Sequence, residues 1–151
     1  WEVGCSVEDV HAYVLGGHTE ATMVPIVSTA MVGGVPLTSL LPRERIEAIV
    51  QRTRNGGAEV VSLLKTGSAF YAPAAATVAM VESILLDRKR VLPCCAYLEG
   101  EYGIRGAYTG VPVRLGAGGV EAIYEAPLAP DELEGLRRAA EAVRELVAVI
   151  G

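Results

Sequence analysis

The alternation of apolar and polar residues predicts two strands near the beginning of the chain. Residues 11–15 form a short apolar run that stops at a pair of glycines, and residues 22–32 are rich in β-branched side chains. Apolar runs of this kind, bounded by glycine, are typical of strands. The extended structure is predicted to continue through residue 37.

The middle of the chain is predicted to be helical. Apolar residues recur at helical spacing over residues 46–53, after Pro42, which suits the first position of a helix. The sequence Asn-Gly-Gly at residues 55–57 predicts that this helix ends there in a left-handed C-cap, with a second short helix over residues 58–65. A longer helix is predicted over residues 72–86, and its alanine-rich first turns suggest that another element packs closely against it.

The last third of the chain contains further strands and one more helix. Three strand-like segments are found at residues 91–98, 110–116 and 119–125. The short turns between them favour antiparallel pairing. Pro130 opens a final helix whose apolar stripe, which runs on to Val147 and Ile150, predicts docking along one face. Because strands and helices are grouped and do not alternate, we predict an α+β fold, an antiparallel sheet with packed helices, and not a doubly wound nucleotide-binding fold.

Composition narrows the possible partners and compartment. The net charge of −5 argues against nucleic-acid binding, and no apolar run approaches the about 20 residues that a membrane helix needs. The chain has an odd number of cysteines, Cys5, Cys94 and Cys95, and two of them are adjacent. This pattern favours buried free thiols over disulfides, and therefore a reducing compartment and a cytoplasmic location. Their spacing does not match a metal site, so no metal is expected. The chain begins with Trp1 and not Met, from which we expect that it was cut from a longer protein.

Two histidines and one glycine cluster are the candidates for chemistry. His18 follows Gly16-Gly17 at the end of a predicted strand, where the glycines allow close backbone approach and an imidazole can exchange a proton near neutral pH. A structural role for His18 stays open on spacing alone. His11 alternates with Tyr13 in the strand and is predicted to be a half-buried structural residue. The cluster Gly-Ala-Gly-Gly at residues 116–119 precedes a strand and not a helix, so we predict a hairpin turn and not a phosphate-binding loop.

Four long segments carry a resemblance to a known family. They are SVEDVHAYVLGGH, RTRNGGAEVVSLLKTGSAFYAPAAA, MVESILLDRKRVLPCCAYLEGEYGI and GVPVRLGAGGVEAIYE. In order and spacing they resemble the C-terminal half of the lactate/malate dehydrogenase family, and its bacterial malate dehydrogenase branch in particular, from about Ser6 to Leu146. The resemblance implies that residues 1–151 form a single substrate-side domain and that the Rossmann domain is absent from this chain.

The resemblance also implies roles for particular residues. His18 would exchange a proton with the substrate oxygen while hydride passes between NAD and C2 of malate or oxaloacetate. The residues that would line the substrate pocket are Gly67, Ser68 and Ala69, and those beside the cofactor are Met23 and Pro73. The small Ala69 would leave room for a second carboxylate, whereas packing at a helix start remains an alternative for Ser68 and Pro73.

The chain departs from the family pattern beside the histidine. The family usually has Gly-Gly-His-Gly-Asp, two further residues and Val-Pro, whereas this chain has one extra residue between His18 and Pro25 and lacks the glycine. Ser28 stands where many relatives have arginine.

The family's remaining site residues would lie before Trp1. These are the aspartate partner of the histidine, the arginine that binds the substrate carboxylate and the loop that selects the substrate. We therefore expect this chain alone to be inactive.

Two alternatives stay open beside malate oxidation. One is an oligomerisation or assembly module without catalysis, and the other is a different 2-hydroxy-acid specificity, such as lactate. Relatives form dimers or tetramers, so a homo-oligomer is expected, with residues 43–54 and 72–79 as candidate contact surfaces.

Overall fold

The computed structural model describes residues 1–150, so Gly151, the last residue of the predicted domain, lies outside the described part. The strands are β1 (Val10–Gly16), β2 (Met23–Val32), β3 (Val35–Pro36), β4 (Arg90–Glu99), β5 (Arg105–Gly116) and β6 (Gly119–Ile123). The helices are α1 (Leu37–Leu40), α2 (Arg43–Leu64), α3 (Tyr71–Leu85) and α4 (Pro130–Ile150). None of these four helices combines the length and the apolar character that crossing a bilayer requires.

The strands form a single sheet in which every pair is antiparallel. The order is β3-β2-β1-β5-β4, and β6 pairs with the end of β5. Gly116 pairs with Gly119, so the glycine cluster is a tight hairpin turn as predicted. No parallel β-α-β unit of the dinucleotide-binding kind occurs within residues 1–150. The predicted α+β fold, without a Rossmann domain in this chain, is confirmed.

The core lies between the sheet and α4. Alternate residues of β5, among them Val111 and Val113, are fully buried, as is Leu136 of α4. They pack with Leu15 and Leu98 in one cluster that is mostly aliphatic, as expected for a chain with one Phe and one Trp. Burial of an aliphatic side chain contributes about 1.5–3 kcal/mol, so this cluster is the main source of stability.

The prediction that residues 55–57 end a helix is wrong, because α2 runs without interruption to Leu64. Glycine permits the left-handed conformation but does not require it, and both glycines here keep helical backbone angles. Arg52, before the two glycines, pairs with Glu59, after them, with an Nη2–Oε1 distance of 2.8 Å. The helix ends instead at Lys65, which adopts the left-handed conformation with φ of 63°.

Other element boundaries also differ from the prediction. Pro42 lies one position before the first helical residue, and the single turn α1 interrupts the predicted extended segment. Docking of α4 stops before its end, since Val147 and Ile150 are 61% and 85% exposed. The helix predicted over residues 72–86 begins at Tyr71, and its alanine-rich turns are exposed, so the close packing predicted against them is not found within residues 1–150.

Two sequence-based burial predictions are wrong for a strand-geometry reason. His11 is exposed and not half-buried, because the first residues of β1 extend beyond the core. Cys94 is buried, but its neighbour Cys95 is exposed. Consecutive residues of a strand point to opposite faces of the sheet, so only one of the two thiols on β4 can be buried.

Candidate active-site loop and its surroundings

His18 lies in a six-residue loop, residues 17–22, that starts at the centre of the sheet. The loop follows Gly16, the one residue of β1 that pairs with β5, opposite Gly110. A side chain on Gly110 would place its Cβ 2.8 Å from the Gly16 carbonyl oxygen, so the backbones can meet only because this residue is glycine. The start of the loop is therefore fixed to the two halves of the sheet.

The loop is closed by contacts between its two ends. The Gly17 N–H donates to the Thr22 carbonyl oxygen at 2.9 Å. A Cβ on Gly16 would lie 2.5 Å from that same oxygen, and a Cβ on Gly17 would lie 2.7 Å from the Thr22 Cβ. Gly16 also has φ of +83°, which L side chains rarely adopt. The glycine pair is thus required by the close return of the chain at Thr22.

A threonine pair organises the interior of the loop. The Thr19 N–H donates to Thr22 Oγ1 at 3.2 Å, and the two hydroxyl oxygens are 2.7 Å apart. The Thr19 carbonyl oxygen accepts from the N–H groups of Thr22 and Met23, at 3.1 and 2.9 Å. Residues 19–22 thus form a compact hydrogen-bonded turn directly after His18. The His18 side chain itself is exposed and makes no hydrogen bond within residues 1–150.

A buried carboxylate holds the strand that leaves the loop. Glu132 of α4, 7% exposed, accepts from the N–H groups of Val27 and Ser28 at 2.7 and 3.0 Å. It also accepts from the Ser28 hydroxyl and, at 2.9 Å, from the N–H of Ala129 just before the helix. Burial alone would raise the pKa of Glu132, but these four hydrogen bonds outweigh it and lower the pKa. Ser28 is thus part of the α4–β2 connection.

A groove of about 1010 Å³ opens beside the loop, between β2, α2 and the first half of α4. Glu20 and Ala21 of the loop line one end of it, together with Met23. Its walls carry both charge signs, from Arg43, Glu47, Arg54, Asp131, Glu132 and Arg138. Arg43 and Arg138 are paired with Glu47 and Glu134 along their own helices, at 2.6 Å in both cases.

The predicted substrate-pocket residues lie elsewhere on the surface. Gly67, Ser68 and Ala69 form the connection between α2 and α3, and Pro73 lies in the first turn of α3. Ser68 and Pro73 are exposed, and Ala69 is partly buried. Of the predicted site residues only Met23 lines the groove, so the described residues do not bring the predicted set into one cavity.

The described residues contain neither a metal cluster nor a phosphate cradle. No group of three or more His, Cys, Asp or Glu side chains within residues 1–150 could hold a metal ion. In the glycine-rich hairpin, the Ala117 N–H donates to Asp87 at 2.9 Å and the Gly118 N–H to Glu121 at 3.4 Å. The Ala117 N–H, followed by Lys89, lowers the pKa of Asp87. Donors that a phosphate would need are therefore already occupied by carboxylates.

Sequence reasoning missed two contributors to this site. Glu132 has no role in the sequence analysis, although its position three residues after Ala129 matches the acidic half of a capping box. Thr22 was expected only as the first residue of a strand. The spacing Thr-x-x-Thr directly after His18 is the signal that indicates a local hydrogen-bonded turn.

Comparison with known proteins places these features in a family. The lactate/malate dehydrogenase, alpha/beta C-terminal domain family matches residues 2–150. The chain is 54% identical over 149 residues to a malate dehydrogenase of Roseiflexus castenholzii, covering 99% of this chain and 48% of that protein. A malate dehydrogenase of Bacillus thuringiensis is also 54% identical, with 99% of this chain and 47% of that protein covered.

Solved structures of full-length enzymes show the same fold. The malate dehydrogenase of Salinibacter ruber matches with a TM-score of 0.92 and 48% identity, covering 97% of this chain and 48% of that chain. The lactate dehydrogenase of Cryptosporidium parvum, in complex with lactic acid and nicotinamide adenine dinucleotide, matches with a TM-score of 0.93 and 44% identity. That match covers 98% of this chain and 48% of that one. The chain thus spans about half the length of its relatives, and it belongs to the lactate/malate dehydrogenase family, as the α/β C-terminal domain.

Proposed function

We propose that residues 1–151 are the substrate-side domain of an NAD-dependent malate dehydrogenase, an oxidoreductase that interconverts malate and oxaloacetate. The observation that carries the proposal is the 54% identity, over 99% of this chain, to proteins named malate dehydrogenase. His18 at the fixed start of the loop is the group that would perform the acid–base step.

His18 is chemically suited to this role. When malate is oxidised, a neutral imidazole accepts the proton of the C2 hydroxyl, and in the reverse direction the imidazolium donates a proton to the keto oxygen of oxaloacetate. The side chain is exposed and free of other hydrogen bonds within the described residues, so it is available to a substrate. NAD, when bound, supplies and receives the hydride at C2.

The described residues could contact only one end of NAD. Met23 is partly buried at the start of β2, next to the His18 loop, and Pro73 is exposed at the start of α3. Both are suited to form apolar walls beside the nicotinamide. Phosphate binding commonly uses a helix N-terminus preceded by a glycine loop, whereas the glycine-rich hairpin at residues 116–119 gives two of its N–H groups to the carboxylates of Asp87 and Glu121. We therefore propose that another part of the enzyme binds the phosphates.

Gly67, Ser68 and Ala69 are proposed to line the substrate pocket once the enzyme is complete. Gly67 has φ of +78° and follows the left-handed end of α2, so it turns the chain sharply before α3. The Ser68 hydroxyl is exposed and can bind a carboxylate, while Ala69 leaves space for the second carboxylate of a dicarboxylic acid. In this chain alone the segment is separate from the His18 groove.

Exposed apolar residues support a partner at α3. Phe70, Tyr71, Val78 and Leu85 are 57%, 82%, 56% and 77% exposed, which is unusual for large apolar side chains grouped on one helix. The proposed occupants are the dinucleotide-binding half of the enzyme and a second subunit of a homo-oligomer. The domain by itself is then predicted to be inactive.

The three cysteines are free, which supports a reducing compartment such as the cytoplasm.

Two other functions would use the same fold. A lactate dehydrogenase is favoured by the TM-score of 0.94 to the lactate dehydrogenase of Cryptosporidium parvum, although the identity there is 43%. An assembly module without catalysis is favoured by the separation of the predicted pocket residues from His18. The three functions differ in which keto acid, if any, is reduced.

The test is an assay of NADH oxidation by the complete gene product, with oxaloacetate and with pyruvate. His18→Asn should reduce turnover by about three orders of magnitude, as expected for loss of a general acid–base group. His11→Asn is the matched control, because His11 is the only other histidine and is exposed on β1, the strand that precedes the His18 loop. It should retain activity within about twofold, because His11 lies outside the proposed proton-transfer step.

The outcomes separate the three functions. Oxaloacetate turnover that depends on His18 and not on His11 supports malate dehydrogenase. Preference for pyruvate supports the lactate alternative. Turnover of neither acid overturns the proposal and supports the assembly module. An active His18→Asn enzyme overturns the proposed role of His18.

A further inference from the structure

We propose that Thr22 is a positioning residue for His18, through a threonine clasp formed by Thr19 and Thr22 across the loop. This inference rests on the proposed function, because it assigns how the acid–base group is held. It concerns the segment between His18 and Pro25, where the sequence analysis predicts one residue more than the family pattern.

His18 depends on its backbone for its position. Its side chain is exposed and has no hydrogen bond or ion pair within residues 1–150, so no neighbouring side chain orients the imidazole. Residues 18–21 are all exposed, so burial does not hold them in place. Only the hydrogen bonds of the turn do so. The backbone conformation of the turn alone therefore sets the position from which the His18 imidazole extends.

The Thr22 side chain is the central contact of that turn. It is packed directly on Gly17, the residue before His18, where a Cβ would lie 2.7 Å from the Thr22 Cβ. Its hydroxyl oxygen accepts the Thr19 N–H, the residue after His18, at 3.2 Å. Thr22 thus contacts the chain on both sides of His18.

Thr19 completes the clasp. Its hydroxyl oxygen is 2.7 Å from that of Thr22, so one hydroxyl donates to the other while Thr22 Oγ1 also accepts a backbone N–H. The loop is closed below by the Gly17 N–H bond to the Thr22 carbonyl oxygen, at 2.9 Å. Without the Thr22 hydroxyl, the Thr19 N–H and hydroxyl would both turn to water. The turn would then be held only by backbone hydrogen bonds, from the Gly17 N–H to the Thr22 carbonyl oxygen and from the Thr22 and Met23 N–H groups to the Thr19 carbonyl oxygen.

The base of the clasp is rigid, which makes it effective. On one side Gly16 is held against Gly110 of β5, and on the other side Val24 is buried in the core. Seven residues join these two fixed ends, and the clasp restricts their conformational freedom. A displacement of about 1 Å in a reacting group can reduce the rate about a hundredfold, so an ordered loop matters for turnover.

The experiment compares Thr22→Ala with Thr22→Ser in the complete gene product. The two variants differ only in the hydroxyl group. Thr22→Ala should lower kcat for oxaloacetate reduction by about 10- to 100-fold and leave KM within about threefold, whereas Thr22→Ser should retain at least about a third of the kcat. Thr53→Ala is the control, because it removes a hydroxyl that bonds to the Ile49 carbonyl oxygen at 2.8 Å within α2.

A second measurement is independent of activity. Amide hydrogen exchange at Thr19 should be about tenfold faster in Thr22→Ala than in Thr22→Ser, while amides of the core strand β5 stay unchanged. A general loss of stability would accelerate exchange in both places.

The outcomes distinguish this inference from the proposed function. A wild-type enzyme that reduces oxaloacetate, with the losses above in Thr22→Ala alone, supports the clasp. An active wild type whose Thr22→Ala variant keeps kcat within threefold, or shows unchanged exchange at Thr19, overturns the clasp and leaves the proposed function standing. A wild type that reduces neither keto acid overturns the proposed function and, with it, the role of Thr22.

Discussion

Replacing Glu132 with Gln should destabilise the protein by breaking the connection between α4 and β2. The carboxylate accepts four hydrogen bonds on two oxygens, from Val27, Ser28 and Ala129, while only 7% exposed. An amide replaces one oxygen with an N–H₂ group. The Ser28 hydroxyl can rotate to accept from it, but at least one backbone N–H then faces another donor.

The size of the effect follows from this count. Hydrogen bonds to a charged group contribute about 1.5–3 kcal/mol each, neutral ones about 0.5–1.5 kcal/mol, and a buried donor left without a partner costs about 1–3 kcal/mol. With partial relaxation we expect Glu132→Gln to lower the free energy of unfolding by about 2–4 kcal/mol at pH 7. The matched control is Glu134→Gln on the same helix, whose pair with Arg138 is 69% exposed on both sides. It should cost under about 0.5 kcal/mol.

The difference in the free energy of unfolding between the wild type and Glu132→Gln should also depend on pH in a defined direction. Burial opposes the charged form of Glu132, but the hydrogen bonds win and its pKa in the folded protein is lowered. The stabilisation is therefore fully present above the unfolded pKa of about 4.3 and is lost as the pH falls through the lower folded value. The gap between wild type and Glu132→Gln should stay constant from about pH 8 to pH 5 and narrow below about pH 4.

Urea unfolding of the complete gene product, followed by circular dichroism at several pH values, measures both effects. The reasoning is refuted if Glu132→Gln and Glu134→Gln have the same free energy of unfolding at pH 7. A gap that widens as the pH falls would contradict the assigned direction of the pKa.

Two further substitutions test the fold. Gly57→Ala should raise the melting temperature and increase the free energy of unfolding by about 0.5–1 kcal/mol. The reason is that Gly57 is helical and that a Cβ there meets no atom within 4 Å. A loss of stability would mean that α2 is not continuous. Thr109→Val should be neutral or stabilising by up to about 1 kcal/mol in urea unfolding, because the Thr109 hydroxyl is buried without a partner and Val has the same shape. A destabilised Thr109→Val variant would reveal a hydrogen bond at that hydroxyl.

The sequence predicted correctly those elements whose conformation depends on residues close together in the chain. The hairpin at residues 116–119, the three antiparallel strands and the opening of α4 at Pro130 all agree with the pattern. In each case the signal lies within a few residues, in turn-forming glycines, alternation or a proline. The break predicted at residues 55–57 failed for the same reason, because a local signal for a turn cannot show that flanking helical turns continue through it.

The candidate site was only partly predictable. His18 was identified from its position after two glycines and from the resemblance, and its role stays a prediction. The need for both glycines became clear only from the return of the chain at Thr22, which places an oxygen 2.5 Å from where a Cβ on Gly16 would be. His11 shows the reverse case, because strand alternation alone could not show that its end of β1 lies outside the core.

The sequence by itself determined the α+β class and the aliphatic core, and it nominated His18 for proton transfer, a role that stays a prediction. Periodicity, turn residues and side-chain chemistry are properties of neighbouring residues, so they can be read along the chain. The tertiary structure alone decided that Ser28 and Glu132, 104 positions apart, form one partly buried hydrogen-bonded connection. It also decided that Gly16 meets Gly110 beneath the His18 loop. Such contacts depend on how the sheet closes around α4, because burial and hydrogen-bond partners are set by elements distant in the sequence.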